Sequence, residues 1–198
     1  MKRFFRLLSA VLHPMLVPTL ALSVIFATDP FTMAAEQLKW ASVVVFGGTY
    51  VLPALMIGLL LALGAIESPE LHKAQERRWP LIFGVLFSGS TFAVLRYAHV
   101  HPMLERFLWT TTLLLVVASI VTPRTKISLH GMAMGALTAL VWVQCIRSAT
   151  LHLSLLAGVI LASGLVGVAR LYLKAHTPFQ WYLGYFSGLF LALYTLTV

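Results

Sequence analysis

The chain alternates long apolar runs with short polar connections. In a bilayer every backbone polar group has to be satisfied within its own segment, so runs of this length predict membrane helices. The pattern puts spans at 7–27, 40–66, 81–97, 107–121, 131–146, 151–169 and 181–198. Several are only about 16–18 residues long, near the lower limit for crossing the hydrocarbon layer. The first run follows Lys2, Arg3 and Arg6, as a signal peptide would. It also contains His13-Pro14 and Pro18 and lacks a small-residue cleavage site before Asp29, so it reads as a kinked or partly re-entrant membrane helix. Small residues recur at four-residue spacing: Gly131 and Gly135, Gly184 and Gly188, and Gly84 with Ser88. Such pairs predict helix backbones in close approach. Trp40, Trp79, Trp109 and Trp181 fall at span ends, where amphipathic rings favour headgroup depth.

Composition narrows the class. Of 198 residues, 60% are hydrophobic and 10% charged, against roughly 25% charged in a soluble domain. That balance excludes an ordinary soluble enzyme, a disordered chain and a nucleic-acid-binding domain. The net charge of +8 does not restore a nucleic-acid partner, because the basic residues lie between apolar runs. Cys145 is the lone cysteine, so neither an intrachain disulfide nor a cysteine metal cage can form, and its apolar setting marks a core thiol. The predicted fold is all-α: one domain over 1–198, a polytopic bundle of six to seven transmembrane helices in a lipid bilayer.

Alternating connections sort the polar residues onto two faces. One face collects Lys2, Arg3, Arg6, Lys73, Arg77, Arg78, Arg124, Lys126, Arg170 and Lys174, with His13, His72, His130 and His176. The other has far fewer cations and carries His99, His101 and His152, which read as helix-end histidines facing water. Positive-inside logic puts the first face in the cytoplasm. Cations that hold an anionic substrate would distort that count.

Three stretches of the first face carry candidate chemistry: Lys73-Ala-Gln-Glu-Arg77-Arg78-Trp-Pro80, Lys126-Ile-Ser128-Leu-His130, and Arg170-Leu-Tyr-Leu-Lys-Ala-His176-Thr-Pro-Phe-Gln180. Phosphoryl transfer calls for this set: cations to clamp non-bridging oxygens, one imidazole to attack phosphorus and another to protonate the leaving oxygen. An arginine after the apolar run 165–169 needs an anion or a nearby water layer. Bland readings stand beside these. Arg77, Arg78 and Lys73 could anchor anionic headgroups, and Ser128 could cap a helix beginning near His130.

Here the sequence resembles the type-2 phosphatidic acid phosphatase superfamily, which includes lipid phosphate phosphatases and vanadium haloperoxidases. Its signature runs Lys-x6-Arg-Pro, Pro-Ser-Gly-His and Ser-Arg-x5-His-x3-Asp. Arg170 and His176 reproduce the Arg-x5-His core, Ser128-Leu129-His130 retains the hydroxyl and imidazole, and Lys73, Arg78 and Pro80 suggest the first part. The resemblance covers about Lys73 to the end of the sequence. It implies that His176 is a nucleophile forming a phosphohistidine and that His130 is the general acid. It also implies that Arg170, Arg78, Ser128 and Lys73 hold phosphoryl oxygens without a metal or other cofactor. Lys126, which matches no motif position, is a further phosphate contact by its nearness to Ser128. The implied substrates are phospholipid or isoprenoid phosphates, and the expected location is the bacterial plasma (inner) membrane. The family's usual site opens to the outer face, contrary to the charge bias.

The sequence departs from the pattern at Ala169, Leu129, the short Lys73–Arg78 spacing and Gln180, which replaces the aspartate that orients the nucleophile. Glutamine can accept the same hydrogen bond without supplying charge; an analogous carboxylate-to-amide change in a serine protease costs ~10⁴ in rate. Glu67, Glu70 and Glu76 are the acids available on the same face to compensate. The expected function is therefore a membrane-embedded phosphatase acting on a lipid phosphate or polyprenyl diphosphate. The alternative is a catalytically silent relative that binds a lipid headgroup as a scaffold or transport subunit. A haem-binding subunit using transmembrane histidines fits less well, because His130 and His176 accompany cations at loop-facing ends.

Overall fold

The computed structural model describes residues 1–29, 33–68, 75–147 and 152–198. Among these the regular elements are all helical: α1 (Lys2–Val11), α2 (Val17–Thr28), α3 (Ala35–Phe46), α4 (Leu52–Ala62), α5 (Arg78–Tyr97), α6 (Pro102–Val121), α7 (Leu129–Arg147), α8 (Leu153–Tyr172) and α9 (Pro178–Thr197). One π turn, Gly47–Val51, joins α3 to α4, and a 3-10 turn, Gln75–Arg77, leads into α5. Five stretches are long and apolar enough to cross a membrane: Ala35–Ala62, α5, α6, α7 and α8. Prolines 18, 102 and 178 stand in the first turns of α2, α6 and α9. There a missing N–H has no helical partner to lose, and the fixed φ suits the helix.

α7 is the hub, buried along nearly its whole length. Its small residues make that possible, and α9 lies directly on it. A Cβ at Gly188 would overlap the Met132 carbonyl oxygen, and one at Gly135 the Tyr185 carbonyl oxygen. The four-residue glycine spacing thus marks the tightest helix pair in the bundle. Gly84 behaves differently, with only the Leu115 side chain 3.5 Å from where its Cβ would be. α5 and α6 are tied instead by the 3.0 Å hydroxyl pair Ser88–Thr112.

The run expected as one span over 7–27 is two helices. α1 ends at Val11, and the turn containing His13-Pro14 redirects the chain into α2. Proline disfavours the α conformation at the residue before it, which accounts for the break. α1 is amphipathic: Lys2, Arg3 and Arg6 are exposed, Ser9 is buried, and the Phe5 ring lies 4.7 Å from Tyr172 of α8. α2 has 12 residues, a rise of about 18 Å that falls short of the hydrocarbon thickness. Trp181 also departs from expectation. It is buried against α8, where a Cβ at Gly167 would stand 2.8 Å from its Nε1, while Trp40, Trp79 and Trp109 are exposed.

Bonds between residues distant in sequence bring the starts of α5, α7 and α9 and the end of α8 to one end of the bundle. Arg77 Nη1 donates to the Ile127 carbonyl at 3.4 Å, and Ser128 N–H donates to the Gln180 carbonyl at 3.2 Å.

Candidate functional site

The polar end is assembled by helix termini. α8 stops because Lys174 takes a left-handed conformation (φ 53°), and Ala175 N–H then returns to the Arg170 carbonyl at 3.0 Å. This is the helix-closing geometry that usually falls to glycine. The reversal carries His176 back toward Arg170, which stands in the last turn of α8. α9 then restarts on a capping box. Thr177 Oγ1 accepts from Gln180 N–H at 3.3 Å, and Gln180 Oε1 accepts from Thr177 N–H at 3.2 Å.

Ser128 caps α7 in the same way, its Oγ accepting from Gly131 N–H at 3.2 Å, and it is fully buried. His130 follows in the first turn of α7. His130 Nε2 lies 3.1 Å from the Ser9 carbonyl of α1, and the His13 ring meets the His130 ring edge-on at 5.4 Å. His13 is set by its own turn: its Nδ1 accepts from Met15 N–H at 3.4 Å, and the Met15 carbonyl accepts from Thr49 Oγ1 at 3.2 Å.

These contacts assign tautomers, because a carbonyl can only accept. His176 Nδ1 lies 3.1 Å from the Lys126 carbonyl, so the neutral ring carries its proton on Nδ1 and leaves a lone pair on Nε2. His130 is the reverse, donating from Nε2 to Ser9. His13, accepting at Nδ1, carries its proton on Nε2.

Arg170 is the electrostatic centre, acting on His13, Arg77, Lys126, His130 and His176. Burial, then repulsion from Arg77, Arg170 and Lys126, pushes the His176 imidazolium down to about 4. Burial and then Arg170 bring His13 to about 4 as well. Burial and then Arg170 draw Arg77 down to about 10, and Lys126 is lowered by burial, then Arg77 and Arg170. Among the described residues, the charges acting on His176 are all cationic. Arg170 Nε is buried without a hydrogen-bond partner among the described residues. Such a cluster is under mutual repulsion that a multivalent anion would relieve.

The predicted residues divide accordingly. Arg170, His130, His176, Lys126 and Ser128 meet at this end. Arg78 is exposed on the first turn of α5, whereas its neighbour Arg77 is buried and points to Ile127. Lys73 lies outside the described residues, as does Glu70; Glu67 is exposed and Glu76 half-buried. The Gln180 amide is held in its capping box, and the partner of His176 Nδ1 is the Lys126 carbonyl instead. The sequence places His13 on this face without assigning it a part in the candidate chemistry; the His13-Pro14 break brings it against His130. On the opposite face His101 is buried, while His99 is exposed and His152 half-buried.

A groove of about 420 Å³ opens beside the cluster, lined by Leu171, Lys174, Ala175, His176, Thr177, Pro178 and Gln180. Among the described residues no group of three or more His, Cys, Asp or Glu side chains is placed to hold a metal ion. Comparison with protein-family models, curated proteins and solved structures gives no match.

Proposed function

We propose that the chain is a membrane-embedded phosphatase that hydrolyses a lipid phosphate or polyprenyl diphosphate through a phosphohistidine. One observation carries the reading: Arg170, Arg77 and Lys126 converge with three imidazoles at a single end of an apolar bundle, and the charges of described residues that act on His176 there are positive. In this reading His176 Nε2 attacks phosphorus while the Lys126 carbonyl holds the Nδ1 proton and stabilises the growing positive charge on the ring. Arg170, Arg77 and Lys126 neutralise the non-bridging oxygens. His130, held through Nε2–H by Ser9, takes up a proton at its free Nδ1 as the anionic headgroup binds and gives it to the departing oxygen as the P–O bond breaks. It then takes one from the water that cleaves the P–N bond, releasing phosphate. The groove between the ends of α8 and α9 admits the headgroup while the acyl or prenyl tail stays in lipid. The same reading takes α9 as a sixth crossing and the α1–α2 segment as the remaining, partly re-entrant one, in a bacterial plasma membrane.

Purified protein should release phosphate from short-chain phosphatidic acid or a polyprenyl diphosphate, and His176→Ala should abolish release. Equal rates for both proteins would refute the reading. A second reading, headgroup binding without turnover, is favoured by one feature: Gln180 is confined to the cap of α9, and a neutral carbonyl takes the place of a carboxylate behind His176. It predicts saturable binding of the same lipids with no phosphate released.

A further inference from the structure

The other end of α5 and α6 holds a pocket that the proposed chemistry does not use. It encloses about 350 Å³ and is lined by Phe92, Arg96, Pro102, Glu105, Arg106 and Trp109. α5 and α6 each have 20 residues, so this pocket lies about 30 Å along the bundle from Arg77, at headgroup depth on the opposite side. No single headgroup can reach both places.

Both signs of charge stand in this pocket beside an aromatic wall. The Arg96 guanidinium lies over the Phe92 ring, 5.8 Å from its centroid, and the Phe92 and Trp109 rings are 5.3 Å apart. Arg106 is held in place by donating from Nη1 to the Leu196 carbonyl at 3.2 Å, which leaves other guanidinium donors free. The Glu105 backbone N–H donates to the His101 carbonyl at 3.0 Å, but its carboxylate forms neither a hydrogen bond nor an ion pair with any described residue. A cation in the last turn of α5 and an acid in the first turn of α6 each suit their helix dipole. That preference explains the sign of each residue. It does not explain why an arginine pair and an unpaired glutamate flank one cavity with a half-exposed tryptophan.

We propose that this pocket binds the headgroup of a zwitterionic phospholipid from the opposite leaflet. Arg96 and Arg106 take the phosphate oxygens in charge-assisted bonds. Glu105 and the face of Trp109 take the ammonium group two carbons away, by charge and by cation–π attraction. An anionic headgroup without an amine satisfies only the arginines and places its hydroxyls against an unneutralised carboxylate.

The test uses the full chain in detergent, titrated with equal amounts of phosphatidylethanolamine and phosphatidylglycerol, with bound lipid read by native mass spectrometry. Phosphatidylcholine is run as a second zwitterion. The wild type should retain either zwitterionic lipid in preference to phosphatidylglycerol. Arg96→Ala should weaken that retention about tenfold, and Glu105→Gln should remove the preference for an amine. Both positions are at the periphery of the bundle, so thermal midpoints of the variants should match the wild type, which checks folding. Equal retention of phosphatidylglycerol by the wild type, no retained lipid, or an unchanged preference in Glu105→Gln would each overturn the assignment. His176→Ala should leave this binding unaltered, which separates its outcome from that of the phosphatase reading.

Discussion

Replacing Arg170 by methionine separates a functional arginine from a structural one. A structural arginine is paired, and its loss destabilises the fold. Arg170 instead has fixed cations for neighbours, since it acts on both Arg77 and Lys126, and its buried Nε has no partner among the described residues. At an effective dielectric constant of about 20, two unit charges ~10 Å apart repel by about 1.7 kcal/mol. Water reaching the half-buried Arg170 and Lys126 reduces this substantially, and an unmet buried donor adds about 1–3 kcal/mol of cost. Against these stands the loss of a favourable cation in the last turn of α8, about 0.3–1 kcal/mol. Methionine preserves most of the aliphatic volume. The net expectation is a gain of about 1–2 kcal/mol, or roughly 2–8 °C in a thermal midpoint for a chain of this size. Phosphate release should fall about 10²–10³-fold, the cost of removing one donor to the transition-state oxyanion. Thermal denaturation in detergent, followed by intrinsic fluorescence, and phosphate release on the same preparations give both numbers. A midpoint that drops by several degrees would refute the electrostatic argument.

Arg77→Ala should lower phosphate release at least about tenfold, the loss of a charge-assisted contact, while Arg78→Ala changes it little; a larger loss in Arg78→Ala would reverse the assignment. The His176 pKa lies near 4 in the fold and near 6.5 in an unfolded chain. The unfolded state therefore binds the proton first as pH falls. Stability is full above pH 6.5 and declines toward pH 4, by up to about 3 kcal/mol from this residue. Midpoints measured from pH 7 to 4.5 should fall, and less steeply in His176→Gln; identical slopes would contradict the shift. Gly188→Ala should destabilise by about 1–3 kcal/mol, since its methyl would overlap the Met132 carbonyl, whereas Gly164→Ala meets open space and should be neutral. Denaturation midpoints of the two variants check the contrast.

Much of the bundle was legible because a helix in lipid needs an apolar run, and a run of twenty residues has few other readings. The α7–α9 pair was legible in Gly131, Gly135, Gly184 and Gly188, whose spacing repeats once per helical turn. The split between α1 and α2 was harder to read, because the apolar face of α1 merges with that of α2 when hydrophobicity is followed along the chain. The choice between Arg77 and Arg78 turns on where α5 begins: one residue is about 100° around a helix, and that rotation takes one guanidinium into the bundle and the other to its surface. Thr177-Pro-Phe-Gln180 is a capping-box sequence, so a local backbone role competes for the glutamine amide expected to orient His176. The partner actually found, the Lys126 carbonyl, is a main-chain group, and no residue type signals it in advance.

The central claim is that Arg170, Arg77, Lys126, His130 and His176 act together on one phosphoryl group, with His176 as the atom-bonding partner. Labelled phosphate trapping tests it most directly: the protein is mixed with substrate carrying ³²P at the transferred phosphorus and quenched within a turnover. The account predicts label on the wild-type chain that survives alkali, is lost in acid and is absent from His176→Asn. Phosphate release by His176→Asn at the wild-type rate, or label that persists in that variant, would contradict it.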